Sequence, residues 1–298
     1  MTRQLKADLA LLFVTIGWGA SFILTKIVLD ELPTYNFLAI RFILASVISS
    51  LFFIRNMMKV DKKTLKLGIL LGVILYLHYA FQTVGLQYTT ASKSAFITGI
   101  NVILVPIFSP LLLKKIPKKA SIYGAVLAFI GMALLSLNEV TSIKSINIGD
   151  VYTFICAVVF ALYIIAVGKF TSEVESISFA VIQLGVVGVL SLITSFVIEN
   201  PIIPMDRSSW ISILILSIVC TSAAYIIQNV AQRFTSSTHT ALIYTGEPVF
   251  AAMFGYIFFG ELLSVKGTIG AILILTGMIT AEINLKKLFQ RKELVEES

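Results

Sequence analysis

Hydrophobic residues in this chain come in long runs, without the polar interruptions that a half-buried strand or a surface helix would show. Ten runs can be marked: 8–29, 36–54, 67–87, 93–113, 120–137, 149–168, 178–198, 210–232, 240–259 and 263–283. Each holds about 20 residues, enough for a helix to cross roughly 30 Å of hydrocarbon. The polar stretches between them are too short for a soluble domain. The pattern predicts an all-α integral membrane protein with ten transmembrane helices. Arg3 and Lys6 ahead of the first run resemble the start of a signal peptide. That run reaches Lys26 without a clear small-residue cleavage site, so it reads as an uncleaved first span.

The same pattern is written twice. At an offset of 146, Tyr79, Gln82, Val84, Thr89 and Ala95 fall on Tyr225, Gln228, Val230, Thr235 and Ala241. Gly124, Ala125, Leu127, Gly131 and Met132 fall on Gly270, Ala271, Leu273, Gly277 and Met278. An offset of 142 aligns the earlier part, with Asp8 over Asp150 and Arg41 over Gln183. The chain is thus expected to divide into five-helix repeats over 1–140 and 145–285, followed by a charged cytoplasmic tail, 286–298. Five spans is an odd number, so the second repeat enters the membrane from the opposite side. Two inverted repeats around a pseudo-two-fold axis, with a site near the midplane, is a common plan of secondary transporters.

Composition and charge agree with a bilayer setting. Hydrophobic residues make up 57% of the chain and charged ones 13%, with mean hydropathy +0.95; a soluble domain carries roughly 25% charged residues. With the N-terminus in the cytoplasm, 17 of the 23 Lys and Arg residues lie on that side, 4 outside, and 2 (Lys26 and Arg41) within spans. This asymmetry is a positive-inside signal, and it places both termini in the cytoplasm of a multi-pass cell-membrane protein. The net charge of +7 then reflects topology and contact with anionic lipid, and no nucleic-acid partner is expected. Cys156 and Cys220 fall inside spans six and eight, show no metal spacing, and read as packing residues. No cofactor or metal is expected.

Ionisable and polar groups inside spans are candidates for function, because a charge at mid-bilayer costs about 2.5–3.5 kcal/mol on the insertion scale. Ser94, Thr98 and Asn101 in span four match Thr240, Tyr244 and Glu247 in span nine, all spaced i, i+4, i+7. Two such stripes would either line a hydrated cavity or bind helices together. Glu247 stands directly before Pro248, which removes a backbone donor. Its carboxyl could exchange a proton or bind an ammonium group, or it could be a structural hydrogen-bonding group. Arg41 is placed either to snorkel or to grip a carboxylate bidentately; Lys26 reads as snorkelling. Tyr79 with Gln82, and Tyr225 with Gln228, offer an amide beside a phenol, or a symmetric packing contact. His78 lies one turn before Gln82 and is either a proton relay or a structural group. Trp18, Ser21, Phe22 and Thr25 form a mixed face on span one, and Tyr163 adds a further aromatic candidate. Gly124 with Gly131 and Gly270 with Gly277 allow close helix approach, making spans five and ten packing or dimer faces; a monomer and a homodimer both remain open.

The stretch Thr245-Gly-Glu-Pro-Val-Phe-Ala-Ala-Met-Phe-Gly-Tyr-Ile-Phe-Phe-Gly-Glu261 resembles the ninth-span signature of EamA-type transporters in the drug/metabolite transporter superfamily. Gly17-Trp18-Gly19-Ala20-Ser21-Phe22 and Arg41-Phe42 resemble that family in spans one and two. The resemblance covers essentially the whole chain. It implies ten helices, cytoplasmic termini, and a central cavity lined mainly by spans one, three, four, six, eight and nine. It also implies carriage of amino acids and related metabolites, often as export. In the first half Asn101-Val102 stands where the second has Glu247-Pro248, and the prolines sit later, at Pro106 and Pro110.

A carrier is therefore the leading expectation, with a small polar or amphipathic metabolite as substrate and alternating access as mechanism. Protons are the coupling ion that Glu247 would suit. Amine or heterocyclic drugs and vitamin-like compounds are the alternative substrates, and a non-transporting membrane regulator is the alternative of another class. A membrane enzyme would need a nucleophile with its base or a metal cluster, and the spacing offers neither. A channel would call for a filter sequence or pore rings.

Overall fold

A computed structural model describes residues 2–114, 116–136, 147–260 and 262–282. The expected tail 286–298, the loop carrying Lys144, and Lys115 and Glu261 lie outside the described residues. The helices are α1 (Arg3–Leu29), α2 (Thr34–Phe52), the single turn α3 (Ile54–Met57), α4 (Lys62–Tyr88), α5 (Ala91–Gly99), α6 (Asn101–Leu113), α7 (Lys119–Ser136), α8 (Ile148–Phe170), α9 (Ser176–Ile198), α10 (Arg207–Ser217), α11 (Ala224–Ala231), α12 (Ser237–Tyr244), α13 (Glu247–Phe259) and α14 (Val265–Glu282). A π-helical turn, Ile218–Ala223, joins α10 to α11. No strand occurs among the described residues. Eight of the described helical stretches are long and apolar enough to cross a membrane, and Val265–Ala281 is a shorter apolar helix.

All-helical construction follows from the solvent. In hydrocarbon every backbone N–H and C=O must be satisfied within the segment, and a helix does this locally. The apolar faces of Phe52, Leu111, Phe196 and Val197 point outward, as lipid contact requires. Polar caps start the helices. Asp61 accepts the Thr64 N–H at 2.9 Å, so α4 begins at Lys62, several residues before its apolar run.

Spans four and nine are broken, and at equivalent places. Between α5 and α6 the Ile100 N–H bonds the Ile97 carbonyl at 3.1 Å; between α12 and α13 the Gly246 N–H bonds the Ile243 carbonyl at 3.1 Å. Both are tightened three-residue turns, and both positions differ by 146. In the second half Pro248 has no N–H to continue the ladder. In the first half no proline is needed: the Asn101 side-chain amide donates to the Thr98 carbonyl at 2.7 Å. Pro106 and Pro110 lie inside α6. The match extends to the caps. Thr90 and Ser236 each accept the N–H three residues on. Lys114 and Gly260 both end their helices in the left-handed conformation, at φ 54° and φ 69°. The expected i, i+4, i+7 stripes therefore do not run along unbroken helix faces.

The helices of 1–140 and 145–285 interlock. α7 packs along α14, α2 along α9, α4 against α8 and α9, and α1 against α13. At the α7–α14 seam, a Cβ on Gly124 would meet the Gly277 carbonyl oxygen at 2.5 Å, and a Cβ on Gly277 the Gly124 oxygen at the same distance. Gly131 and Gly270 form the same reciprocal pair. Here the absent side chains let two backbones touch, so both glycine faces are used within the chain.

Side-chain ties define two ends of the bundle. At the distal end, where α1 finishes, Glu199 accepts the Tyr35 and Asn36 N–H groups at 2.9 Å, and Gln87 donates to Thr34 at 2.7 Å. At the proximal end, where α1 starts, Lys63 pairs with Glu173 at 2.8 Å and Gln232 donates to the Ile164 carbonyl at 3.0 Å.

Candidate functional site

Between the midpoint of the bundle and its distal end lies a partly open cavity, with about 540 Å³ of atom-free space when the adjoining open solvent is included. From α1 it is lined by Trp18, Ser21, Phe22 and Thr25, spaced i, i+3, i+4, i+7 on one face. From α4 come His78, Tyr79, Gln82, Thr83 and Leu86; Arg41 reaches in from α2, Thr98 from α5, Phe160 from α8, Tyr225 from α11 and Glu247 from α13.

The floor is aromatic. Trp18 lies 4.7 Å from the Tyr244 ring and 5.7 Å from Tyr225. Phe160 stacks on Tyr163 at 6.0 Å and on His78 at 4.3 Å. The Tyr225 hydroxyl donates to the Tyr79 hydroxyl at 2.9 Å, so the two repeat-related tyrosines meet each other across the center. His78 Nδ1 stands 3.2 Å from the Cys156 sulfur, which gives that cysteine a polar neighbour as well as a packing role.

Arg41 is buried. It does not snorkel. Its Nε donates to Thr221 Oγ1 at 2.7 Å, and its guanidinium carbon sits 5.2 Å from the center of the Tyr79 ring and 5.5 Å from that of Phe42. Cation–π contact offsets part of the charge's desolvation. Among the described residues no carboxylate pairs with Arg41, and none of the ion pairs involves Glu247. One cavity thus holds a cation and an acid, each without a partner of opposite charge among the described residues. Lys26 is exposed, away from the cavity.

Five expected candidates do not line the cavity. Asn101 is taken up by the α5–α6 break. Tyr163 donates to Gln183 Oε1 at 2.6 Å beneath the floor. Gln228 donates to Gln232 at 3.1 Å, and Tyr244 is buried against Trp18. Pro248 stands in the first turn of α13. Ser94 and Thr240, of the paired stripes, are fully buried. Thr83, Leu86 and Phe160 line the cavity without having been singled out. The signal for the first two was present, since Tyr79, Thr83 and Leu86 repeat at i, i+4, i+7 on a face already marked by Gln82.

Comparison with known sequences decides the family. The profile of the EamA-like transporter family matches residues 5–137 and, a second time, residues 147–281. The chain belongs to that family. It is similar to an uncharacterized transporter of Archaeoglobus fulgidus, 32% identical over 95% of this chain and 88% of the relative. It is also similar to the uncharacterized transporter YyaM of Bacillus subtilis, 28% identical over 94% of each chain. A solved crystal structure superposes with a TM-score of 0.79 over 95% of this chain and 98% of the other, at 17% identity. That last likeness concerns the fold alone.

This EamA-like protein is thus a multi-pass membrane transporter, and its small-molecule site must be sought inside the bundle. The cavity combines what a small-molecule pocket needs: apolar and aromatic walls with a few convergent polar groups. Gln82 and Thr98 add neutral hydrogen-bonding groups to the lining.

Proposed function

We propose that this transporter carries a small amphipathic zwitterion, an amino acid or a related compound, across the cell membrane. The observation that carries the reading is the pair Arg41 and Glu247 on the wall of one cavity, neither ion-paired among the described residues. Holding a charge out of water without a partner costs on the order of several kcal/mol, and a substrate carrying both charges would offset that at each end. Arg41 anchors the carboxylate and Glu247 the ammonium group. Trp18, Phe22, Phe160 and Tyr225 enclose the apolar part. Aromatic walls alone would suit an amine or a heterocycle equally well; Arg41 is what favors a carboxylate.

The repeat offset, with equivalent breaks and caps in both halves, supports two inverted repeats over 1–140 and 145–285 that alternate access around the cavity. The basic residues clustered at the proximal end support a cytoplasmic assignment of that end and of both termini. In this assignment the cavity extends outward. Export is the direction favored by the resemblance to its family, and Glu247 is the group through which protons would couple. Reconstitution into liposomes and counterflow with labelled amino acids, their amides and amines tests the reading. Saturable exchange restricted to compounds with both charges supports it. Exchange of amines without carboxylates, at equal affinity, rejects the role of Arg41.

A further inference from the structure

The π-helical turn Ile218–Ala223 has no counterpart in the first half, where α4 runs unbroken from Lys62 to Tyr88. A π turn inserts extra backbone into a helix and re-aims the groups on it, often at functional sites. Here three consecutive residues of the turn reach the cavity helices. The Ala224 N–H bonds the Thr221 carbonyl, while the Cys220 carbonyl accepts the Trp18 indole N–H at 2.8 Å. Thr221 Oγ1 accepts Arg41 Nε at 2.7 Å. Ser222 shares a hydrogen bond with Ser49, two turns after Arg41 on α2. Both Trp18 and Arg41 are cavity walls.

We infer that Thr221 is a positioning residue for Arg41. The inference rests on the reading of Arg41 as the carboxylate anchor. A guanidinium has three nitrogens in a plane. Thr221 engages Nε, and Tyr79 and Phe42 flank the group at 5.2 and 5.5 Å. Nε and the aromatic neighbours fix the plane. The two Nη groups then form the edge that remains for a carboxylate, the geometry of a bidentate grip. Without the hydroxyl, the guanidinium can rotate about its last bonds and present one donor in place of two. Selection for a carboxylate over its matched carboxamide is therefore set partly by Thr221, a residue that the substrate does not need to touch.

The test uses Trp18 as reporter, in a Trp210→Phe background that leaves it as the sole tryptophan. Fluorescence titrations are run with matched probes: phenylalanine and phenylalaninamide, leucine and leucinamide, nicotinate and nicotinamide. The expected result is a carboxylate preference in the parent protein that falls about tenfold in Thr221→Val, returns in Thr221→Ser, and leaves carboxamide affinity unchanged. If the valine variant does not fold, Thr221→Ala takes its place. A preference that survives loss of the hydroxyl overturns the positioning role while Arg41 keeps its own. No carboxylate preference in the parent, across all pairs, overturns the anchor and the inference with it.

Discussion

Gln82, Thr83 and Leu86 line the cavity at the distal end, whereas the residues 146 positions later, Gln228, Asn229 and Gln232, are packed into a wall at the proximal end. There, Gln228 donates to Gln232, Gln232 to the Ile164 carbonyl, and Asn229 to the Tyr225 carbonyl. Arg41 faces the cavity; its repeat equivalent Gln183 is buried, accepting from Tyr163 and donating to Asn229. The ends are also tied by equivalent pairs. Lys93 meets Asp150 at 2.6 Å distally, and His239 meets Asp8 at 3.4 Å proximally. His239 lies 146 residues after Lys93, and Asp150 lies 142 after Asp8. The comparison teaches that positions matched by the 146-residue offset pack unequally: those of the first half border a cavity, and those of the second are filled in by hydrogen-bonded amides. The chemistry is unequal too: the Arg41 cation lines the cavity, whereas the Gln183 amide is buried in packing.

Making the ends alike should have the largest effect at Arg41. Arg41→Gln copies Gln183, and loss of a charge-assisted grip should lower the affinity for carboxylate substrates by about 30-fold to 1000-fold. Counterflow with saturating and limiting substrate would show the loss mainly in KM, with the protein still monodisperse. Next comes Glu247→Asn, which copies Asn101. Transport should persist for neutral analogues and lose its dependence on pH; a pH profile identical to the parent's would remove Glu247 from coupling.

The end pairs should matter less. His239 carries charge only when protonated, and Gln4 and Thr235 also face its ring at 3.4 and 3.2 Å. Lys93→Ala, which takes the ammonium partner from the Asp150 carboxylate, should lower the melting temperature and leave the carboxylate preference of transport as in the parent; an unchanged melting temperature would remove this pair from the ties of the distal end. The smallest effect belongs to Glu31 in the distal connection. The Ser209 hydroxyl, then the Met205 and Asp206 N–H groups, hold its carboxyl below the usual glutamate range. A depressed value means stability present above that range and lost as acid protonates the folded state. Glu31→Gln should flatten the acid limb of the melting curve without altering it at neutral pH.

Much of this architecture is legible in the chain before any coordinates. Apolar runs mark the helices because the bilayer fixes both their length and their polarity. Charge inside a span marks Arg41 and Glu247, and the repeat marks Gln82. The repeat also marks Gln228 and Tyr244, which do not line the cavity, because a duplicated pattern treats the two ends as equal. Which end is hollow is a property of packing and not of either repeat. The π turn left no trace at all: Ile218-Val-Cys-Thr-Ser-Ala223 contains no glycine or proline and reads as ordinary helix. The break before Asn101 was equally silent, since a side-chain amide there does what Pro248 does in the second half.

The proposed exchange of roles between the ends is most directly tested by thiol accessibility. Gln82→Cys and Gln232→Cys would be made separately in protein lacking Cys156 and Cys220, reconstituted with known orientation, and labelled by a membrane-impermeant reagent from each side during transport. The account predicts that conditions driving the carrier to its other state slow distal labelling at residue 82 while speeding proximal labelling at residue 232. Labelling that changes in the same direction at both positions, or a residue 232 never reached in actively transporting protein, would contradict it.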